Sequence, residues 1–192
     1  MSEATSTGAA LPLTPGTWKV DPNHSGVYFK VRHLGLSNVR GQFKTFDATI
    51  AVGNSVEDLA VSATIDLASV DTNQPDRDGH LLSTDFFAAD KNPQIAFAST
   101  GVSGESTDEF ELAGDLTING ITKAVSFPVE FNGVEVFPGD GKPHAGFTAT
   151  AVINRKDFGV DFNMPIGIDK VAISDKVNVE LDLQFVAPDD AA

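Results

Sequence analysis

Apolar and polar residues alternate with a period of two along most of this chain, and few folds accept that pattern. Val27, Phe29 and Val31 share one face of "GVYFKVRH". Phe46, Ala48, Ile50 and Val52 do so in "FDATIAV", and Leu59, Val61, Ala63, Ile65 and Leu67 in "LAVSATIDL". The same holds for Ile95 and Phe97, for Phe110, Leu112, Leu116 and Ile118, and for Val125, Phe127, Val129 and Phe131. Phe147, Ala149, Ala151 and Ile153 form another such face, and Val177, Val179, Leu181, Leu183 and Phe185 the last. This predicts about eight amphipathic strands with a short leading one at "TWKV". One apolar face per strand means one wet side and one buried side, which is the antiparallel pattern. Asn119-Gly120 between two such runs is a strong two-residue hairpin signal.

A sandwich and a closed up-and-down barrel both satisfy the pattern. An eight-stranded barrel is either filled or holds one ligand. Small residues on the inward faces (Ala48, Ala63, Gly114, Ala149, Ala151) favour a cavity. The length of 192 residues suits one domain, expected over 17–187, with a flexible arm over 1–16 and a tail over 188–192.

Charge and composition narrow the partners. A net charge of −14 argues against nucleic acid and against an anionic membrane surface. No run is apolar and long enough to span a bilayer, so stable membrane insertion is not expected. "MSEATSTGAALPLTPG" has neither a basic start nor an apolar run, which points to a cytoplasmic location. The chain has no Cys, hence no disulfide and no thiolate chemistry. It has 14 Phe against one Trp and one Tyr, an aromatic content suited to a dry interior.

Candidate polar chemistry is sparse. His24, His33, His80 and His144 lack metal-ligand spacing. No nucleophile–base pair, phosphate-cradling loop or close carboxylate pair appears, so no catalytic residue, metal or cofactor is assigned. His33 keeps the parity of Val27, Phe29 and Val31 and points inward, either as a buried hydrogen-bonded histidine or as a polar anchor for a ligand.

Two connections, about 68–94 and about 154–175, exceed hairpin length, which is uncommon without a role. The first contains "DRDGHLLSTDFF". A short helix around 76–84, capped by Asp76 or Asp78, would press Leu81 and Leu82 onto the barrel. It is either a structural plug or a lid, with Arg77 and His80 at a ligand head group and Phe86 and Phe87 at its tail. "INRKDFGVDF" carries Arg155, either in a strand-end ion pair or in a second wall of the mouth.

In order, "WKVDPNHSGVYFKVRH", "GQF", "SVDTNQPDRDGHLLSTDFF", "NPQIAFAST", "LAGDLTINGIT", "INRKDFGV" and "ISDKVNVELDL" match the motifs of a known family. The chain resembles the YceI family of lipocalin-like proteins from about Trp18 to Phe185. It departs at Asn92, where the family often has an aromatic before its Pro. The resemblance implies an extended antiparallel barrel that binds a long isoprenoid lipid, a polyprenyl phosphate or an isoprenoid quinone, for carriage (transport), storage or protection. By analogy the tail would meet Phe29, Val31, Phe43, Ile50 and Ile65, then Phe97, Leu116, Ile118, Phe127, Phe147 and Ile153. Leu82, Phe86 and Phe87 would meet it from the lid. His33 would anchor it, and Arg77, His80 and Arg155 are the head-group candidates. The expected partner is an isoprenoid or another long-chain lipid, and a homodimer is compatible with the sequence. The alternative is an enzyme acting on a lipid or small apolar substrate through His33, His80 or Arg155.

Overall fold

The structure, a computed structural model, describes residues 11–104, 106–168 and 170–189. The period-two runs become strands β1 (Gly16–Val20), β2 (Gly26–His33), β3 (Ser37–Phe43), β4 (Phe46–Val52), β5 (Ala60–Asp66), β6 (Val70–Asp71), β7 (Gln94–Ser103) and β8 (Glu109–Ile118). They continue as β9 (Ile121–Phe137), β10 (Lys142–Asn154), β11 (Pro165–Gly167), β12 (Lys170–Val171) and β13 (Ile173–Val186), with one α-helix among the described residues, α1 (Pro75–Leu82).

Every pairing is antiparallel, and the first six strands are three staves broken in the middle. β1 and β2 both pair with β13, at Val20↔Phe185 and at Val27↔Leu181. Their other sides pair with β4 and β3, at Trp18↔Ile50 and Val27↔Phe43. β4 and β3 pair in turn with β5 and β6. The remaining staves β7, β8, β9, β10 and β13 follow in chain order, and the β1–β13 pairing closes the ring. The result is an eight-stave up-and-down barrel, a closed sheet with no long free edge.

Its staves are long: β9 has 17 residues, β13 has 14 and β10 has 13. Strands of ordinary length would make a shorter cylinder. The β8–β9 turn is the expected Asn119-Gly120 hairpin, with φ of 53° and 72°.

Because the staves alternate in direction, the β2–β3 turn, both long connections and the β8–β9 turn gather at one end. Hydrogen bonds tie them there. Leu34 N–H donates to Ala172 O, Asn92 Nδ2 to Asn119 Oδ1 and Asn119 Nδ2 to Phe158 O. Asn92, the departure from the family pattern, thus braces one connection against the hairpin tip.

The other end is plugged. Trp18 is 1% exposed and donates its indole N–H to Thr14 O at 2.9 Å. It belongs to one core cluster with Leu11, Leu13, Phe185 and Ala187. Leu11 and Leu13 fall within the segment expected as a loose arm, yet both are buried; apolar side chains beside an open barrel end gain more from covering it than from water. Residues 1–10 of that arm, and 190–192 of the expected tail, lie outside the described residues.

Candidate functional site

The inward faces do not meet at the barrel axis. They enclose a cavity of about 580 Å³ whose walls are almost wholly apolar. It runs between both core clusters, from Leu59, Phe110 and Val129 near the plugged end to His33, Arg77 and Phe162 at the open end. Ligand sites of this kind are commonly of such volume and polarity.

Most residues expected to meet a tail border this space. Phe29, Val31, Phe43, Ile50, Ile65, Phe97, Leu116, Ile118, Phe127, Phe147 and Ile153 line it from the staves, and Phe86 and Phe87 line it from the first connection. Leu82 does not. It packs beside the near-end core cluster, one position round α1 from Leu81, which takes the wall position instead. Gly114 does not contribute free space either. The ring of Phe97 lies over it, so that a Cβ there would sit 2.4 Å from Cε2 and Cζ. Ala48, Ala63 and Ala149 do line the cavity, and Ala151, further along β10, does not.

The first long connection covers the open end of the barrel. α1 spans 75–82, and its N-cap is Gln74, whose Oε1 accepts from Arg77 N–H at 2.9 Å. Neither Asp76 nor Asp78 caps it. Asp78 instead accepts from the N–H and Oγ1 of Thr72 at 2.9 and 2.6 Å, pinning the loop before the helix. Arg77 donates through Nε to Thr72 Oγ1 and through Nη2 to Thr72 O, both at 2.7 Å. This holds its guanidinium at the cavity mouth.

His80 Nε2 lies 2.8 Å from Asp85 Oδ2. Its ring meets Phe86 and Phe162 edge-on at 5.0 Å each, and those two rings are 5.1 Å apart. Phe162 comes from the second long connection, so this aromatic triad locks the two connections together at one end of the barrel.

Arg155 also borders the cavity but is buried, and its donors are occupied. Nε donates to Ser174 O, Nη1 to Val160 O and Phe162 O, and Nη2 to Ile173 O. Asp175 lies 3.5 Å from Nη2 and pairs with Lys156 at 3.0 Å. Burial lowers the guanidinium's pKa below its ordinary value, while Asp175 and Asp161 act in the opposite sense. Arg155 is thus a clamp that folds the 155–173 segment over the barrel rim. Of the three cationic candidates, Arg77 and His80 face the mouth from α1. His33, expected either buried or as an anchor, is exposed at the cavity's rim, because β2 ends there at the open end.

Sequence reasoning missed one wall. Phe158, Val160, Phe162 and Met164 all line the cavity from the second connection. They too alternate with a period of two, a signal masked by Gly159 and by the one-turn helix Arg155–Phe158.

Residues 18–185 match the family described as the YceI-like domain. A UPF0312 protein of Staphylococcus epidermidis is 37% identical over 166 residues, covering 86% of this chain and 94% of that protein. A UPF0312 protein of Staphylococcus aureus is 39% identical over 168 residues with the same coverage. Among solved structures, a Campylobacter jejuni YCEI protein superposes with a TM-score of 0.71 at 31% identity, covering 83% of this chain and 91% of its own. A domain from Saccharophagus degradans, described as polyisoprenoid binding and implicated in plant cell wall breakdown, gives a TM-score of 0.68 at 15% identity, with coverage of 89% and 98%.

Proposed function

The chain belongs to the YceI family, and from that premise we propose that its barrel binds one long isoprenoid lipid, tail inward and head at the mouth, and carries, stores or shields it without changing it. The observation that supports this most strongly is the cavity: about 580 Å³, apolar, and continuous between the two core clusters. Apolar walls of that extent gain roughly 25 cal/mol for each Å² that an apolar occupant covers in place of water. Long staves that enclose such a space are accounted for by an occupant. A flexible apolar chain fits the shape, and the Saccharophagus domain of the same architecture is described as polyisoprenoid binding.

The polar groups favour holding over reacting. Arg77 and His80, fixed by Thr72 and Asp85, sit where an anionic or carbonyl-bearing head would emerge, as in a polyprenyl phosphate or an isoprenoid quinone. Neither is set against a nucleophile in the manner covalent catalysis requires. The test is mass spectrometry of lipid extracted from gently purified protein, before and after incubation with geranylgeraniol. An intact isoprenoid recovered in both cases supports carriage. Conversion of the added alcohol supports an enzyme instead, and failure to retain any isoprenoid contradicts the reading.

A further inference from the structure

At the open end the apolar cavity wall continues outward into an exposed lip. Met164 lines the cavity, and beyond it the β11–β12 hairpin carries Ile166, Ile168 and Val171, with Ile168 91% exposed. Facing it, the β2–β3 turn carries Leu34 and Leu36, the latter 77% exposed. Leu34 N–H donates to Ala172 O at 2.7 Å, so the two loops form one rim. Apolar side chains clustered in this way on an acidic chain mark a contact surface.

Two independent observations say what meets it. Leu34 adopts φ of +54°, a left-handed conformation that suits Gly, Asn or Asp and strains a bulky residue. Here an exposed leucine is held both in water and in strain, a combination expected where its side chain works on something outside the fold. Charge is also divided along the barrel. Around the mouth Arg32, Arg77, Lys156, Lys170 and Lys176 stand among Asp76, Asp78, Asp85, Asp157, Asp161 and Asp175 in near balance, whereas Glu57, Asp58, Asp108, Glu109, Glu135 and Asp140 outnumber Lys19 and Lys142 at the plugged end. The net charge of −14 therefore repels an anionic surface least at the mouth.

We infer that this lip docks the barrel, mouth down, on a lipid bilayer surface, so that an isoprenoid passes between bilayer and cavity without crossing water. The inference rests on the proposed isoprenoid cargo, because only a water-insoluble cargo needs such a route. Docking is interfacial: the lip side chains enter the headgroup region while the barrel stays outside.

The experiment is flotation with vesicles of phosphatidylcholine containing one-fifth phosphatidylglycerol, with and without geranylgeraniol in the bilayer. Three proteins are compared: wild type, the lip double variant Ile166→Ser/Ile168→Ser, and a plugged-end control, Val136→Ser, whose side chain is also exposed. Wild type and Val136→Ser should float together, and the lip variant should lose at least tenfold in vesicle-bound fraction. The lip variant should also take up geranylgeraniol from vesicles more slowly, while binding it normally when it is added from detergent. Absence of wild-type flotation, or equal flotation of all three proteins, overturns the inference. So does a lip variant that changes only self-association, since the lip would then meet a second copy of the chain. If wild type floats but takes up no geranylgeraniol from either source, docking stands and the cargo reading is what fails.

Discussion

At Gly114 a single absent Cβ decides where an aromatic ring lies. The Phe97 ring occupies the space above this glycine, as aromatics do over strand glycines, and from there it forms part of the cavity wall. Gly114→Ala should displace that ring into the cavity and lower stability by about 1–3 kcal/mol, the usual range for overpacking, read from the urea midpoint. Arg155 works in the opposite way, through bonds made rather than space left. Arg155→Gln would leave several carbonyls of the 155–173 segment without donors. It should cost about 3 kcal/mol in the same measurement, with cavity binding lost alongside. The inward identities of Phe97 and Ile50 were legible because strand parity alone sets them. The covering of Gly114 was not, because it depends on a ring from the neighbouring strand. The occupied donors of Arg155 were not, because their partners come from distant loops.

Among the elements, the first long connection decides between a plug and a lid. The sequence indicates a short helix near 76–84, and α1 occupies 75–82. Its cap was misread because the helix starts at Pro75, which puts Asp76 and Asp78 inside the first turn and leaves the N-cap position to Gln74. The wall built by Phe158, Val160, Phe162 and Met164 was hidden because its alternation runs through a turn rather than a ladder-paired strand. Phe86 joins the first connection to this wall through the ring of Phe162. Phe86→Ala should therefore speed release of bound geranylgeraniol at least tenfold, followed by transfer to excess vesicles. Thermal unfolding, measured on the same sample, should stay cooperative. Unchanged release with lowered stability would make the segment a plug and not a lid.

For the molecule as a whole, acid exposes how its surface is held. Asp21 is kept below the ordinary carboxylate range by a hydrogen bond from His24, Asp71 by Lys44, Asp140 by the Lys142 N–H and Glu180 by Lys30. A carboxyl whose pKa is lower folded than unfolded adds stability above its unfolded value, near 4, and loses it as pH falls through the folded value. The urea midpoint should thus decline below about pH 4. The decline should shrink in 1 M salt, because these pairs are largely exposed and screened. The eight-stave closure was legible in outline, since period two and the Asn-Gly hairpin imply a meander. The cavity's extent was not, because it is set by stave length and by how the two long connections fold over the end. That cavity is the central claim, and Ala149→Phe tests it most directly. Ala149 lines the space, and a ring there should fill it with little strain. Wild type should bind one geranylgeraniol per chain by native mass spectrometry, and Ala149→Phe should bind at least tenfold less while melting within a few degrees of wild type. A variant that still binds fully, or one that unfolds as a packed core would, contradicts the account.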